Sequence, residues 1–417
     1  MRKTSFHYSM IVSMKYFGSA LVLLSFLFLS CRKVNKTCSI ADYPEAPSSD
    51  WYRSYEGSGE EAHGHFILTC SDGGYLQVGE TGFTPNSAKI LVVKIDQGGA
   101  FQWSKEFSGG TGHNLGNSAF EGDDGYFICG SLNENSAIIK LNKLDGSVVF
   151  EKTHDNGGSD AFEHISVTQE GIIAVGYVQA EDNVNTFFTE GQGHLTFLDL
   201  EGNKTNGINL ENKMSHAYRI KKLGADFVIS GLTEGANDYA LLKIDASGSI
   251  IWNKTFGGTN SDHCFAMDLS ADGDILLSGH TLSGTENWDA YTMKIDPDGN
   301  QLWQSKTGNP RGFDPKYIHD EVWGIKGTSD GGCIIVAGTG DEYSNYKRRC
   351  GNDGDDSNTW HVYLVKYDAN GNVQWQKTYG DADGGDWAGE DIDLTADGGA
   401  IVAVDNGSFG FLKISPF

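Results

Sequence analysis

The chain has 417 residues, among them 55 glycines but only 7 prolines, and 12% of its residues are aromatic. This composition excludes collagen-like, coiled-coil and disordered chains, and the length requires either several cores or one repeat architecture. With 31 basic and 56 acidic residues the formal net charge is -25, which repels phosphate backbones, so we expect no nucleic-acid partner.

An export signal opens the chain. Residues 1–30 combine early basic residues with an apolar run, residues 21–29, that is too short to cross a membrane as a helix. The run ends at Ser30 and Cys31 and resembles the lipobox of bacterial lipoproteins, in which this cysteine carries the lipid. The resemblance implies lipidation at Cys31 and an outer-membrane lipoprotein that faces either the periplasm or the cell surface.

A tether follows the predicted anchor. Residues 31–49 contain prolines and small polar residues without periodicity, as expected of a link to a folded body that begins at residue 50. Later cysteines lie in apolar, strand-like runs at unrelated repeat positions, which favours buried free thiols over a disulfide framework. These are Cys70, Cys129, Cys264 and Cys333.

Seven similar units fill residues 50–417. Each unit runs from an opening position through an acidic-glycine turn and an apolar strand to a Lys-apolar-Asp signature, as in Lys243-Ile244-Asp245. The opening positions are Trp51, Trp103, Phe150, Asn206, Trp252, Trp303 and Trp375. Four short strands in roughly 45 to 50 residues are typical of a propeller blade. We therefore predict an all-β fold, a seven-bladed β-propeller of four-stranded antiparallel blades, in which the repeated aromatic residue packs between blades.

The two chain ends predict how the ring closes. The last unit stops after its third strand, residues 411–415, whereas the first unit is preceded by a spare strand at about residues 50–56. We expect this N-terminal strand to pair with the C-terminal blade, because a ring closed in this way exposes no long strand edge.

The units resemble those of bacterial β-propeller-repeat lipoproteins and secreted proteins, which read Trp-x-Lys-Thr-Phe/Tyr-Gly-Gly, then Asp-Gly-Gly, then Lys-x-Asp-x-x-Gly-Asn. The resemblance covers residues 51–417 and implies the fold without an activity. The step from Asp245 to Trp252, Asp-x-x-Gly-x-x-x-Trp, is also similar to the tryptophan-docking motif of quinoprotein propellers. The Thr-Gly-Lys of those units is missing, which argues against a bound quinone. We predict no cofactor, with calcium left open in the loop insert described below.

Loop variation points to one face as the binding surface. The turns between strands one and two and between strands three and four are short throughout, whereas the loops on the opposite face vary in length. Trp288 and Trp360 occupy the same loop position in adjacent units of this variable-loop face. Such indoles either stack on sugar rings or pack against blade edges. Trp387, His263 and His319 are further candidates by loop position.

Acidic residues recur just before the innermost strands. They are Asp160, Asp262, Asp320 and Asp386. They either accept backbone N–H bonds that shape the entry turn or form a cation or polar-ligand ring at the channel mouth. A loop insert with Asp353, Asp355 and Asp356 offers a calcium site or, alternatively, a solvated loop without EF-hand spacing.

No spacing joins a base to an acid or to a nucleophile, so we assign no catalytic residue. The leading hypothesis is a monomeric, lipid-anchored envelope protein that binds or scaffolds a glycan or an envelope protein through its variable-loop face. One alternative is a polysaccharide lyase or hydrolase on a propeller scaffold, and another is an outer-membrane assembly scaffold.

Overall fold

The computed structural model describes residues 43–59, 61–82, 88–110, 112, 114–180, 191–210, 212–235, 238–341, 343 and 356–417. These residues form seven four-stranded antiparallel sheets arranged as the blades of a β-propeller. The predicted fold and blade number are confirmed. In six of the blades the chain runs from the innermost strand outward through four consecutive strands.

Four consecutive strands make each of the first six blades. Blade 1 contains β2 (Ala62–Thr69), β3 (Tyr75–Thr81), β4 (Lys89–Ile95) and β5 (Phe101–Phe107). Blade 2 contains β6 (Leu115–Glu121), β7 (Tyr126–Leu132), β8 (Asn135–Leu141) and β9 (Val148–His154). Blade 3 contains β10 (Ser159–Val167), β11 (Ile172–Ala180), β12 (Gln192–Leu198) and β13 (Lys204–Asn209). Blade 4 contains β14 (His216–Leu223), β15 (Asp226–Leu232), β16 (Tyr239–Ile244) and β17 (Ile250–Phe256). Blade 5 contains β18 (Asp262–Leu269), β19 (Ile275–Thr281), β20 (Asp289–Ile295) and β21 (Gln301–Thr307). Blade 6 contains β22 (His319–Gly327), β23 (Cys333–Gly340), β24 (His361–Tyr367) and β25 (Val373–Tyr379).

Blade 7 is shared between the chain ends. It consists of β26 (Ala388–Leu394), β27 (Ala400–Asp405), β28 (Phe409–Ile414) and β1 (Ser49–Tyr55), and β1 pairs antiparallel with β28. The predicted closure is confirmed. Tyr52 of β1 stacks on Trp387 with 4.3 Å between ring centroids. The carbonyl of Pro47 accepts a hydrogen bond from the Tyr379 hydroxyl, so the end of the predicted tether packs on the folded body.

Burial follows strand position within a blade. The second strands β3, β7 and β19 are buried along their whole length, whereas the outer strands β9 and β17 are mostly exposed. Neighbouring blades cover both faces of an inner strand, so even its polar residues, such as Gln77 and Thr81 of β3, are buried. The four predicted thiols, Cys70, Cys129, Cys264 and Cys333, are buried and free, as expected.

The repeated tryptophan docks on the following blade. The ring centroids of Trp103 and Tyr126 lie 6.1 Å apart, and the Trp103 ring packs against Gly146 in the turn between strands three and four of blade 2. Trp303 packs against Gly371 in the same way, and its Nε1 donates to the carbonyl of Ala369 at 3.0 Å. These glycines have φ of +66° and +80°, a region that disfavours a Cβ. The inter-blade packing predicted for the aromatic position is therefore observed.

The Lys-apolar-Asp signature also has a structural use. In blade 1 the Nζ of Lys94, which is fully buried, lies 2.8 Å from the carboxylate of Asp72 in the Asp-Gly turn. Equivalent lysine–aspartate pairs are Lys140–Asp124, Lys243–Asp226, Lys294–Asp272, Lys366–Asp330 and Lys413–Asp397. Blade 3 departs from the pattern, because Phe197 stands at the lysine position.

Across the described ranges, no helix has both the length and the apolar character needed to cross a membrane. Residues 1–30, with the predicted signal, and Cys31 lie outside the described residues.

Candidate functional site

Each innermost strand carries a β-bulge at the same level of the propeller. The pairing of strands one and two skips one residue in all seven blades. The skipped residues are His65, Asn117, Glu163, Tyr218, Phe265, Trp323 and Glu390. A bulge leaves one residue out of the ladder and re-aims its side chain. Because the innermost strands surround the propeller axis, these seven residues form a ring, which we name the bulge ring.

The bulge ring has two chemically different halves. Blades 4, 5 and 6 contribute its aromatic arc, Tyr218, Phe265 and Trp323. The remaining blades contribute its polar arc: Glu390, His65, Asn117 and Glu163. A site needs asymmetry on a symmetric scaffold, and this level of the channel supplies it.

The aromatic arc is continuous. The ring centroids of Tyr218 and Phe265 lie 4.9 Å apart, and those of Phe265 and Trp323 lie 4.5 Å apart. Tyr218 and Phe265 are buried, whereas Trp323 is half-buried and keeps part of its ring open. His280 of β19 packs 5.2 Å from Phe265 and extends the arc.

The polar arc holds carboxyl groups whose pKa values lie near neutrality. Burial raises the pKa of Glu390 to about 8, helped by the negative charge of Asp405. Burial also raises the pKa of Glu163 to about 7, against the opposing charges of Arg219 and His65. Both side chains remain half-buried rather than sealed. Near neutral pH, protonated Glu390 offers an O–H donor where an ordinary glutamate offers only acceptors.

Paired histidines stand beside these carboxyls. His65 Nε2 lies 2.6 Å from a carboxylate oxygen of Glu80. Burial lowers the pKa of His65, but the Glu80 carboxylate outweighs this effect and raises the pKa to about 9. His63 Nδ1 lies 2.8 Å from Asp405, which raises the pKa of His63 against its burial. The side chains of His63 and Asp405 are 17% and 26% exposed, so this pair remains in contact with solvent.

A small cavity of about 20 Å³ borders the bulge ring at Trp323. It is lined by residues from the innermost strands of six blades, among them Phe66, His164 and Arg219. Such a volume holds about one water molecule. Further along, ion pairs join adjacent blades: Lys221–Asp268 at 2.9 Å and Lys326–Asp393 at 3.2 Å.

The structure separates the predicted tryptophans. The ring centroid of Trp288 lies 4.7 Å from that of His263 and 4.9 Å from that of His280, so Trp288 adjoins the aromatic arc at the channel mouth. Trp360 instead packs on the backbone of β23, where Gly338 and Gly340 leave room for its ring. Trp387 is buried, 9% exposed, and stacks on Tyr52. Trp288 is thus the one of the three that lies beside the aromatic arc.

The other predicted histidine lies on the polar side of the mouth. His319 Nδ1 is 3.1 Å from Glu321, and both side chains keep some solvent contact, at 12% and 26% exposure. Burial raises the pKa of Glu321, but the hydrogen bond to His319 and the charges of nearby histidines lower it overall. The negative charge of Glu321 also contributes to raising the pKa of Glu390.

The predicted aspartates are engaged by the loops. Asp160 accepts backbone N–H bonds from Asn156 at 2.5 Å and Gln179 at 2.9 Å. Asp262 accepts from the N–H of Gly258 at 2.6 Å and from the hydroxyl of Ser283 at 3.0 Å.

Two further aspartates behave in the same way. Asp320 accepts from the N–H of Asn309 at 2.7 Å, and Asp386 accepts from the N–H of Trp360 at 2.8 Å. Burial raises the pKa of Asp320 to about 7. These contacts match the interpretation of the aspartates as acceptors that shape the entry turn.

The predicted calcium insert is only partly visible. Asp353 and Asp355 lie outside the described residues, and Asp356 is exposed, with its carbonyl accepting from Arg311 at 3.0 Å. Within the described ranges no group of three or more His, Cys, Asp or Glu side chains has the geometry of a metal site.

Sequence reasoning did not find the bulge ring. Its members are spaced by roughly one blade along the chain and share no residue type, so neither repeat matching nor a motif search selects them. A signal was present, however: Glu163, Phe265 and Trp323 each lie three residues after a predicted entry-turn aspartate, and Glu390 lies four residues after one, while the residue type at the position changes from unit to unit.

Several solved structures have a fold similar to that of this chain. No family model matches the chain, and the comparison with curated proteins gives no match. Among solved structures, hydrazine synthase from Kuenenia stuttgartiensis is similar with a TM-score of 0.55 and 10% identity, over 84% of this chain and 94% of that chain. A catalytically inactive variant of virginiamycin B lyase from Staphylococcus aureus, with quinupristin, is similar with a TM-score of 0.53 and 14% identity, over 87% of this chain and 99% of that chain. The WD40 propeller domain of Doa1 is similar with a TM-score of 0.50 and 12% identity, over 88% of this chain and 97% of that chain. At these identities the similarity shows the propeller fold alone.

Proposed function

We propose that this protein is a lipid-anchored envelope propeller that binds a glycan without transforming it, with one sugar ring seated in the channel mouth above the bulge ring. The single observation that carries the proposal is the division of the bulge ring into an aromatic arc and a polar arc. The lipid anchor at Cys31 and the outer-membrane location rest on the sequence.

The two arcs match the two surfaces of a sugar. The apolar face of a pyranose packs on an aromatic ring, and the half-buried Trp323 is the accessible ring of its arc. The hydroxyl edge needs both donors and acceptors, which His65, Asn117 and the carboxyls of Glu163 and Glu390 supply. Trp288, beside His263 at the rim, provides a second aromatic surface for the next sugar of a chain.

The test is glycan capture by the full chain on an array of bacterial and host polysaccharides, followed by calorimetric titration with the best binder. Trp323→Ala should weaken binding at least about tenfold, which is the loss of roughly 1.4 kcal/mol, and Glu163→Gln should weaken it less. Phe101→Ala is the matched control, because Phe101 is an aromatic residue on the outer strand β5 and is 53% exposed. Equal binding by wild type and Trp323→Ala would remove the channel mouth from the proposal.

A polysaccharide lyase or hydrolase is the second candidate, and the carboxyl pKa values favour it. Groups that titrate near the working pH suit general acid–base chemistry, and Glu163 and Glu390 have pKa values of about 7 and 8. Incubation of the captured glycan with excess protein distinguishes the two functions. New reducing ends or ultraviolet-absorbing unsaturated products, lost in Glu390→Gln, would replace the binding function by the enzymatic one.

A further inference from the structure

Arg219 of blade 4 brings a guanidinium group into the channel beside the bulge ring. It follows the ring residue Tyr218 on β14, and it lines the small cavity that borders Trp323. Its Nη1 donates to the carbonyl of Tyr218 at 3.0 Å. Among the described residues, Nε and Nη2 have no hydrogen-bond partner and no carboxylate forms an ion pair with the group, whereas both atoms keep contact with solvent. Two adjacent N–H donors are therefore available to a ligand.

The two lysines that line the same cavity are already paired with carboxylates of the next blade. The pairs are Lys221–Asp268 at 2.9 Å and Lys326–Asp393 at 3.2 Å. Of the three basic side chains in the lining of this cavity, Arg219 is thus the one without an ion pair to a described residue.

The other residues on the level of Arg219 do not neutralise it. The blades on either side contribute His164 and Ala266 at the equivalent position. Burial keeps the pKa of His164 well below its ordinary value, so this imidazole is neutral. Asp391 of blade 7 is the carboxyl group at this level, but burial raises its pKa against the charges of Lys326 and Arg219. A half-buried guanidinium group without its own carboxylate gains from an incoming anion.

We propose that the sugar seated in the channel mouth is a sugar acid, such as a uronic acid, whose carboxylate pairs with Arg219. This inference rests on the proposed function and names the class of glycan. A guanidinium group binds a carboxylate through two parallel N–H···O bonds in a fixed planar geometry. Because Trp323 borders the same cavity as Arg219, one sugar ring can pack on the indole and direct its carboxylate to the guanidinium group.

The polar arc does not oppose an anionic sugar near neutral pH. With a pKa of about 8, Glu390 is mostly protonated at pH 7, and Glu163, with a pKa of about 7, is about half protonated. The formal net charge of -25 belongs to the whole chain, and at physiological ionic strength exposed charges are screened over about 8 Å. The unpaired guanidinium group therefore dominates at short range.

The experiment compares acidic glycans with their uncharged esters by calorimetric titration of the full chain at pH 7 and about 0.15 M salt. The probes are oligosaccharides of polygalacturonate, alginate and hyaluronan and the methyl ester of each, so that the sugar is unchanged and the carboxylate charge is removed. At least one acid should bind about tenfold or more tightly than its ester. Arg219→Met should abolish this preference, whereas Arg219→Lys, which keeps the charge without the planar pair of donors, should retain part of it.

Lys222→Met is the matched control. Lys222 lies on the same strand β14 but is exposed, so its substitution removes one positive charge outside the channel, and its preference for the acid should equal that of wild type. If Arg219→Met fails to fold, the ester comparison in wild type and the Arg219→Lys variant still decide.

The outcomes separate this inference from the proposed function. Equal binding of acid and ester by wild type, or an unchanged preference in folded Arg219→Met, would overturn the role of Arg219. Binding of neutral glycans alone, weakened by Trp323→Ala, would overturn the sugar-acid inference and leave the proposed function intact. Binding of no glycan, acidic or neutral, would remove both.

Discussion

Alanine at Gly371 tests whether tryptophan docking stabilises the ring of blades. A Cβ at this residue would lie 2.6 Å from Cδ2 of Trp303, closer than a real contact allows, so the indole must move. Gly371 also has φ of +80°, which costs an alanine about 1 to 2 kcal/mol. Displacing the indole adds the loss of its hydrogen bond to Ala369, about 1 kcal/mol, and of ring packing, about 1 kcal/mol. The expected total is about 3 to 4 kcal/mol.

Gly273→Ala is the matched control for the backbone. Gly273 has φ of +85°, but a Cβ there meets nothing within 4 Å, so only the backbone cost of about 1 to 2 kcal/mol applies. The two variants should therefore differ by about 2 kcal/mol, or about 2 to 3 °C in melting temperature for a domain of this size. Urea and thermal unfolding of both proteins measure this difference. Equal losses would refute the docking argument, as would an undiminished cost of Gly371→Ala in a Trp303→Ala background.

Three further perturbations follow from the structure. Glu390→Gln should raise the free energy of unfolding more at pH 9 than at pH 5. The folded-state pKa of Glu390, about 8, lies above the ordinary 4.5, so wild-type stability falls as pH rises from 4.5 to 8. Urea titrations at the two pH values measure this difference. Lys94→Met should raise the pKa of Asp72, because hydrogen bonds from Lys94 and Gly74 hold that pKa below its ordinary value against the effect of burial. NMR titration of Asp72 measures the change. In wild type the stability that this lowered pKa contributes is present above pH 3.8 and is lost as pH falls through the lowered pKa. Deletion of residues 43–55 exposes the edge of β28, so size-exclusion chromatography should show association, whereas an unchanged monomer would contradict the role of β1 in closure.

The sequence alone determined the fold to the level of blade number, strand count and closure. This was possible because each blade buries its faces against its neighbours, so the same local pattern had to recur in every unit. The docked Trp103 and Trp303, the buried thiols and the pairing of β1 with β28 all follow from patterns that are visible within one or two units.

Only the tertiary structure brought together the residues of the proposed binding site. The bulge ring consists of single residues contributed by seven separate units, and ring closure alone makes Glu390 and His65 neighbours across the chain ends. A bulge has no hydrophobic period of its own, so the pattern that specified the strands could not mark it.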